Sequence, residues 1–141
     1  MTQIHPHSLW IGHASEGRDS SSLADAGIEA LVNLAAEERF DLPPREFLSL
    51  RFPLIDGTGN RSAWLELAMT SVASLIELKI PTIVACSAGM SRAPTIVAAA
   101  LALALHKTPE DRLQDVASQH PADVSPGLWD EVKAVLERKG L

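Results

Sequence analysis

The sequence of 141 residues predicts an α/β fold in which a small and mostly parallel central sheet is flanked by helices. Short apolar runs typical of buried strands, such as 28–34 and 80–85, lie mainly in the first half of the chain. Segments with apolar residues at helical spacing separate these runs and then dominate the second half. Strands that alternate with helices form parallel sheets, and this length suits one hydrophobic core. We therefore expect a single domain over residues 1–141.

Turn and cap residues set the bounds of the predicted elements. The segment 56–60 contains two glycines, an aspartate and an asparagine, which predicts a turn. Asn60 or Ser62 is predicted to cap the helix that follows. The polar segment 17–22 and the charged, proline-containing segment 35–45 are predicted loops. The predicted strands are 8–12, 28–34, 47–54 and 80–85, and the predicted helices are 23–27, 63–79, 93–106, one from Thr108 and one from Ser125 to Gly140.

The composition narrows the classes of function. Hydrophobic residues make up 46% of the chain and charged residues 21%, and the formal net charge is -6. This negative charge argues against nucleic-acid binding. An anionic substrate would have to be held by a local positive site, such as a helix N-terminus with a few arginines.

The number of cysteines and the hydrophobicity of individual segments predict where in the cell the protein is located. The single cysteine, Cys86, excludes an intrachain disulfide and a multi-cysteine zinc site. The first residues lack the basic and apolar regions of a secretion signal. The most apolar segment, 94–105, is shorter than the roughly 20 residues that span a bilayer. We expect a cytoplasmic location that keeps the thiol reduced, no membrane association, and a monomer as the favoured state.

The most informative segment is Cys86-Ser87-Ala88-Gly89-Met90-Ser91-Arg92, which joins a predicted strand to a predicted helix. A loop between a strand and a helix N-terminus can direct several backbone N–H groups at a phosphate, and glycine permits the close approach. Arg92 offers parallel donors to two phosphate oxygens, and the same groups stabilise the thiolate of Cys86. The thiolate can attack phosphorus and form a cysteinyl-phosphate. The segment therefore indicates a phosphate-binding loop, Ser87 to Arg92, with a nucleophile at its floor.

In its context this signature resembles that of the compact dual-specificity phosphatases, within the protein tyrosine phosphatase superfamily. The strand 9–12, the strand end 32–34, the Asp56 turn and the continuation Arg92-Ala93-Pro94-Thr95 also match, so the resemblance covers essentially the whole chain. The resemblance implies a phosphomonoester hydrolase that acts on phosphotyrosine, phosphoserine and phosphothreonine and uses no metal or other cofactor. Its partner would be a phosphorylated protein or another phosphomonoester substrate.

The resemblance also assigns roles to individual residues. Cys86 would be the nucleophile, Arg92 the phosphate clamp and Asp56 the general acid. An alkoxide or phenoxide leaving group needs a proton as its bond to phosphorus breaks, which a mobile aspartate can supply. The ionised Asp56 would then activate a water molecule against the intermediate. Asn60 would help to hold the loop that carries Asp56.

Two positions depart from the family pattern. Ala85 stands where the family usually has the histidine that organises the loop. Ala93 stands where the family usually has a serine or threonine, whose hydroxyl stabilises the departing thiolate when the intermediate is hydrolysed. We therefore expect a less stabilised thiolate than is usual in the family and a slow breakdown of the phosphoenzyme.

Other functions remain open at this point. Ala85 and Ala93 also favour a catalytically weak or inactive phosphate-binding protein, a pseudophosphatase. A rhodanese-type sulfurtransferase also places a cysteine loop before a helix, although Gly89, the continuation 92–95 and the Asp56 turn fit it less well.

The remaining polar residues have simpler interpretations. The five histidines show no metal-ligand spacing, so each is expected to be a surface residue or a satisfied core residue. Glu37, Glu38 and Arg39 are expected to form a solvated loop, with Arg39 able to flank a substrate.

Overall fold

The computed structural model describes residues 1–41 and 45–141. Five strands and six helices are interleaved along the described chain, with the last three helices at its end, as the sequence pattern predicts for an α/β fold. The strands are β1 (Thr2–Gln3), β2 (Leu9–Gly12), β3 (Ala30–Ala35), β4 (Leu48–Leu54) and β5 (Thr82–Ala85). The helices are α1 (Ala14–Gly17), α2 (Ser20–Asp25), α3 (Ser62–Glu77), α4 (Arg92–Leu105), α5 (Pro109–Gln119) and α6 (Pro126–Arg138).

The strands form one sheet in the order β1-β2-β5-β3-β4. All neighbouring pairs are parallel except β1 and β2, which are antiparallel. The register places Ala85 of β5 level with Gly12 of β2 and with Asn33 of β3. The carboxyl-terminal ends of three adjacent strands therefore lie together at one edge of the sheet, which is the edge where α/β folds place their binding sites.

Helices cover both faces of this sheet. The larger core cluster contains residues of the strands β2, β3, β4 and β5 and of the helices α3, α4 and α6. Eleven residues of α4 are buried. A smaller cluster on the other face contains five buried residues, Leu23, Ile28, Leu31, Ile83 and Ala85. The sheet is thus buried on both sides, which explains why its central strands are continuous apolar runs rather than alternating ones.

The predicted strands and the long helices are confirmed, with bounds that shift by a few residues. The predicted loop at 17–22 is wrong, because Ser20 begins α2 and Asp19 caps that helix by accepting a hydrogen bond from the Ser22 N–H. The short strand β1 and the four-residue helix α1 were not predicted, since each is too short to show a periodicity. Part of the predicted loop 35–45 lies outside the described residues.

The predicted cap of α3 is also wrong. Arg61 occupies the N-cap position, and its side chain makes no capping hydrogen bond. Asn60 instead bonds the preceding loop, as described below, so its side chain is committed elsewhere. Ser125 does cap α6, by accepting from the Leu128 N–H, whereas Thr108 occupies the N-cap of α5 without a side-chain bond.

Candidate active site

The segment Cys86–Ser91 turns sharply from the end of β5 into the first turn of α4. Gly89 is the pivot of this turn, with a φ of 74° that side-chain-bearing residues rarely adopt. A Cβ at Gly89 would also lie 2.8 Å from the carbonyl oxygen of Gly12. Both the backbone conformation and the close approach to β2 therefore require glycine at this position.

Three carbonyl groups of the loop bond to residues outside it. The Ser87 oxygen accepts from the Ala14 N–H at 3.0 Å, and the Met90 oxygen accepts from the Asp123 N–H at 2.7 Å. The Gly89 oxygen lies 2.7 Å from Nε2 of His120. Because C=O and N–H point in opposite directions across a trans peptide, these bonds direct the next N–H groups toward the inside of the loop.

The N–H groups of the loop have no protein partners within the described chain. None of the hydrogen bonds among residues 1–41 and 45–141 uses the backbone N–H of any residue from Ser87 to Arg92. The loop also opens onto the N-terminus of α4, where the helix dipole favours negative charge. Unpaired donors and a helix N-terminus together form an anion cradle.

The loop surrounds a cavity of about 240 Å³. Cys86 lies at its floor and is only 2% exposed, and the neighbouring Arg92 is only 5% exposed. Asp56 reaches the same cavity from a different loop. The three residues to which the family resemblance assigns catalytic roles therefore meet at one cavity. Its lining is Asp56, Cys86, Ser87, Ala88, Met90, Ser91, Arg92 and Asp123.

Arg92 is held in place by two acceptors. Its Nη1 and Nη2 groups donate to the two carboxylate oxygens of Glu37 at 2.6 and 3.1 Å, and Nη1 also donates to the Leu54 carbonyl at 3.0 Å. These bonds use three of the five guanidinium N–H groups. The remaining two, on Nε and Nη2, lie side by side and match two oxygens of a phosphate. The hydrogen bond from Arg92 also lowers the pKa of Glu37, which keeps this carboxylate charged.

Glu38 bonds the opposite side of the loop. Its carboxylate accepts from the Ser87 hydroxyl and from Nη2 of Arg18, the latter at 2.6 Å. The bonds from Ser87 and then Arg18 lower the pKa of Glu38. The Asn33 side chain donates to the Glu38 carbonyl at 3.1 Å and so fixes this segment at the end of β3. Glu37 and Glu38 do lie in a loop, and Glu37 is exposed as expected, but the carboxylates of both residues also bond the cradle.

A sequence signal for these two residues did exist. Glu37 and Glu38 follow the buried strand β3, and the carboxyl ends of parallel strands meet at the same edge of a sheet. Asn33 pairs with Ala85, the residue before Cys86, so the chain after β3 must pass close to the loop after β5.

Ser91 connects Asp56 to the loop and to α6. Its hydroxyl donates to Oδ1 of Asp56 at 2.6 Å and accepts from the Ser125 N–H at 2.9 Å. Ser125 is the N-cap residue of α6, so the start of this helix is tied to the same hydroxyl. The Asp56 carboxylate is thereby held at the rim of the cavity.

The Asp56 loop is restrained by further contacts. The Asn60 side chain accepts from the Ile55 N–H at 2.8 Å and donates to the Gly57 carbonyl at 3.0 Å, which confirms that Asn60 holds this loop. Glu131 of α6 accepts from the N–H groups of Gly59 at 2.8 Å and Asn60 at 3.2 Å. The loop is therefore anchored at both ends. Its two glycines had suggested a mobile loop instead.

The two departures from the family pattern are buried alanines. Ala85 packs against α1, and a Cβ at Gly17 would lie only 3.3 Å from the Ala85 Cβ. A side chain larger than alanine at position 85 would therefore have little space beside Gly17 of this helix. Ala93 is fully buried in the first turn of α4. Among the described hydrogen bonds, a histidine side chain reaches the loop from His120 at the end of α5, where the sequence predicts only a surface or satisfied core residue.

The family model for the polymorphic toxin system DSP-PTPase phosphatase, Tc-R-P, matches residues 11–104, which is more than half of the chain. The chain belongs to this family. It therefore contains a phosphatase domain of the dual-specificity type within the protein tyrosine phosphatase superfamily. This family assignment confirms the resemblance and favours the phosphatase class over the sulfurtransferase alternative. No curated protein matches the chain significantly in sequence.

Solved structures show the same fold as this DSP-PTPase phosphatase domain. Human DUSP28 is 24% identical, with a TM-score of 0.87 over 99% of this chain and 98% of that one. A mouse candidate dual specificity phosphatase complexed with zinc tungstate is 23% identical, with a TM-score of 0.85 over 97% and 86%. The human tyrosine phosphatase-like serine/threonine/tyrosine-interacting protein is 18% identical, with a TM-score of 0.82 over 100% and 98%. The predicted fold class is confirmed.

None of the described helices is both long and apolar enough to cross a membrane.

Proposed function

We propose that this domain is a cysteine-dependent phosphomonoester hydrolase with the breadth of a dual-specificity protein phosphatase. One observation carries the proposal: the loop 87–92 bonds three of its carbonyl groups outward and leaves its N–H groups unpaired within the described chain, around the cavity that Cys86, Arg92 and Asp56 share. Such a cradle suits a phosphoryl group, which presents three oxygens and about two negative charges. Phosphotyrosine, phosphoserine and phosphothreonine are the proposed substrates.

In the first chemical step the Cys86 thiolate attacks phosphorus in line with the leaving oxygen. The S–P bond forms as the P–O bond breaks, and the loop N–H groups and Arg92 stabilise the charge on the three phosphoryl oxygens. Asp56 donates its proton to the departing alkoxide or phenoxide oxygen. The Ser91 hydrogen bond holds the Asp56 carboxyl at the rim of the cavity, where this oxygen leaves.

In the second step water cleaves the cysteinyl-phosphate. The carboxylate of Asp56 accepts a proton from the water molecule as the water oxygen attacks phosphorus. The S–P bond breaks, and inorganic phosphate leaves. The electron pair returns to Cys86 as thiolate. Because Ala93 offers no hydroxyl to that thiolate, we expect the second step to limit the overall rate.

A phosphate-binding pseudophosphatase is the second candidate. Two observations favour it: Ala93 lacks the hydroxyl that supports the second step, and the Cys86 residue is only 2% exposed. In either case the cradle would bind a phosphoryl group, and the two candidates differ only in turnover.

The test compares the wild type with Cys86→Ser, using an aryl phosphate for turnover and tungstate, a tetrahedral oxyanion, for binding by calorimetry. The proposal expects aryl phosphate hydrolysis by the wild type and none by Cys86→Ser, while both bind tungstate. Tungstate binding without turnover by the wild type would favour the pseudophosphatase. A phosphopeptide panel with the three phosphorylated residues then measures the breadth of substrate.

A further inference from the structure

We propose that His120 is a positioning residue of the phosphate cradle, which holds the Gly89–Met90 peptide with its N–H directed at the bound oxyanion. This inference rests on the proposed function, because it concerns the same loop. His120 is outside the signature segment and belongs to the C-cap of α5.

The hydrogen-bond geometry fixes the role of each ring nitrogen. Nε2 of His120 lies 2.7 Å from the Gly89 carbonyl oxygen, and Nδ1 lies 2.8 Å from the Thr2 hydroxyl. A carbonyl oxygen can only accept, so Nε2 carries the hydrogen and donates it. The Thr2 hydroxyl can donate to Nδ1 of the neutral ring and accept from Nδ1 of the protonated ring. The bond to Gly89 therefore persists in both protonation states.

The imidazole is itself held by two elements. The His120 N–H donates to the Val116 carbonyl at 3.0 Å, which fixes the residue at the end of α5. On the other side Thr2 belongs to β1, the edge strand that pairs with β2. The ring is therefore held by α5 and β1, and it fixes the position of the Gly89 carbonyl in the middle of the loop.

The Gly89–Met90 peptide is the one that most needs such support. Glycine accepts widely different backbone angles, so the peptide after it can rotate at little cost. A rotation would turn the Gly89 carbonyl into the cradle, where its oxygen repels an oxyanion, and would turn the Met90 N–H away. The bond from His120 opposes this rotation because it holds the carbonyl on the outer side of the loop.

His120 also differs from the other two anchors of the loop. The Ser87 and Met90 carbonyls are held by the backbone N–H groups of Ala14 and Asp123, which truncation of a side chain does not remove. Among the described contacts to loop carbonyls, the contact of His120 is made by a side chain. A substitution at His120 therefore tests the orientation of one peptide without altering any residue of the cradle.

The experiment compares His120→Ala with His120→Gln, whose amide can still donate to Gly89. The matched control is Gln119→Ala, because the Gln119 side chain joins the same end of α5 to the backbone of His5 and does not reach the loop. Tungstate binding by calorimetry, kcat and KM on an aryl phosphate, and thermal unfolding are measured for all four proteins. The unfolding measurement separates a local effect on the loop from loss of fold.

We expect His120→Ala to weaken tungstate binding and to lower kcat/KM by about 5- to 10-fold, the range for loss of one hydrogen bond. His120→Gln should recover most of this loss, and Gln119→Ala should match the wild type in tungstate affinity. Equal tungstate affinity in the wild type and His120→Ala overturns the inference, as does an equal loss in Gln119→Ala. Absence of turnover in every protein, with the difference in tungstate affinity retained, overturns the catalytic proposal alone.

Discussion

Glu37 binds the Arg92 guanidinium with both carboxylate oxygens, at 2.6 and 3.1 Å, although the Glu37 side chain is 56% exposed and Arg92 is buried. The pairing fixes the plane of the guanidinium and leaves the Nε and Nη2 edge directed away from Glu37. Glu37 thus determines which edge of Arg92 a phosphate can meet. This relationship also explains how a buried arginine is tolerated beside the positive end of α4.

Glu37→Gln should lower kcat/KM on an aryl phosphate by roughly 10-fold, because an amide cannot form two charge-assisted bonds to Arg92. The loss should come mainly from KM and tungstate affinity, since the guanidinium loses its fixed plane. Steady-state kinetics and calorimetry measure both quantities. Glu46→Gln, an equal change at an exposed position lining a different pocket, is the control and should leave both unchanged. Unaltered tungstate affinity in Glu37→Gln would contradict this role.

Asp56→Asn should reduce kcat/KM, which reports the first chemical step, by a factor that grows with the basicity of the leaving group. An alkyl phosphate needs its leaving oxygen protonated, whereas the p-nitrophenolate ion leaves without a proton. We expect a loss on the order of 100-fold or more with a poor leaving group and a much smaller loss with p-nitrophenyl phosphate. A series of aryl and alkyl phosphates gives the slope of kcat/KM against leaving-group basicity. The same slope in the wild type and Asp56→Asn would remove Asp56 from the role of acid.

The parts of the site that follow from the sequence are those set by local chemistry. An apolar strand, Gly89 and Pro94 in the first turn of a helix lie within fifteen residues of one another, and each has a strong local preference. The turn at Asp56 is equally local, because glycine and asparagine define it. These elements were predicted correctly, as was the bonding of the Asp56 loop by Asn60.

The supporting residues depend on packing between distant segments. Glu37 and Glu38 reach the loop because β3 and β5 are parallel neighbours in register, which a single sequence suggests only indirectly. His120 reaches Gly89 because α5 ends beside β1, a contact that no spacing in the sequence encodes. The helix α1, with four residues, carries too little periodicity to be recognised, yet its first N–H anchors Ser87.

Ala93→Ser should accelerate the second chemical step, because it restores the hydroxyl that the family places beside the thiolate. We expect the steady-state rate to rise several-fold, on the order of one added hydrogen bond, and the pre-steady-state burst of phenol to shrink. Rapid-mixing kinetics with an aryl phosphate measures both. The control is Ala98→Ser, the same change at another fully buried position of α4, which should leave the burst unchanged. A burst of equal size in wild type and Ala93→Ser would show that breakdown does not limit the rate.

Glu38 should make the stability of the site depend on pH in the acidic range. The hydrogen bonds from Ser87 and then Arg18 lower its pKa from the ordinary value of 4.5, so the folded state favours the ionised carboxylate. Its contribution to the free energy of unfolding is therefore present above pH 4.5 and is lost as the pH falls through the lower pKa of the folded protein. Thermal unfolding between neutral and strongly acidic pH should show the difference between wild type and Glu38→Gln disappearing at the acidic end. A constant difference across that range would contradict the linkage.

Gly89→Ala separates two reasons for glycine in the loop, because Gly27 offers the matched comparison. Both residues have a φ of 74°, but a Cβ at Gly27 meets no atom within 4 Å, whereas one at Gly89 meets the Gly12 carbonyl at 2.8 Å. Gly27→Ala should lower the free energy of unfolding by about 1 to 2 kcal/mol, the cost of left-handed backbone for alanine. Gly89→Ala should cost more, because the collision adds to the same strain, and it should also abolish tungstate binding as the loop is pushed away from β2. Denaturant unfolding and calorimetry on both variants measure these effects. Equal destabilisation with tungstate binding retained would mean that the approach to Gly12 does not shape the cradle.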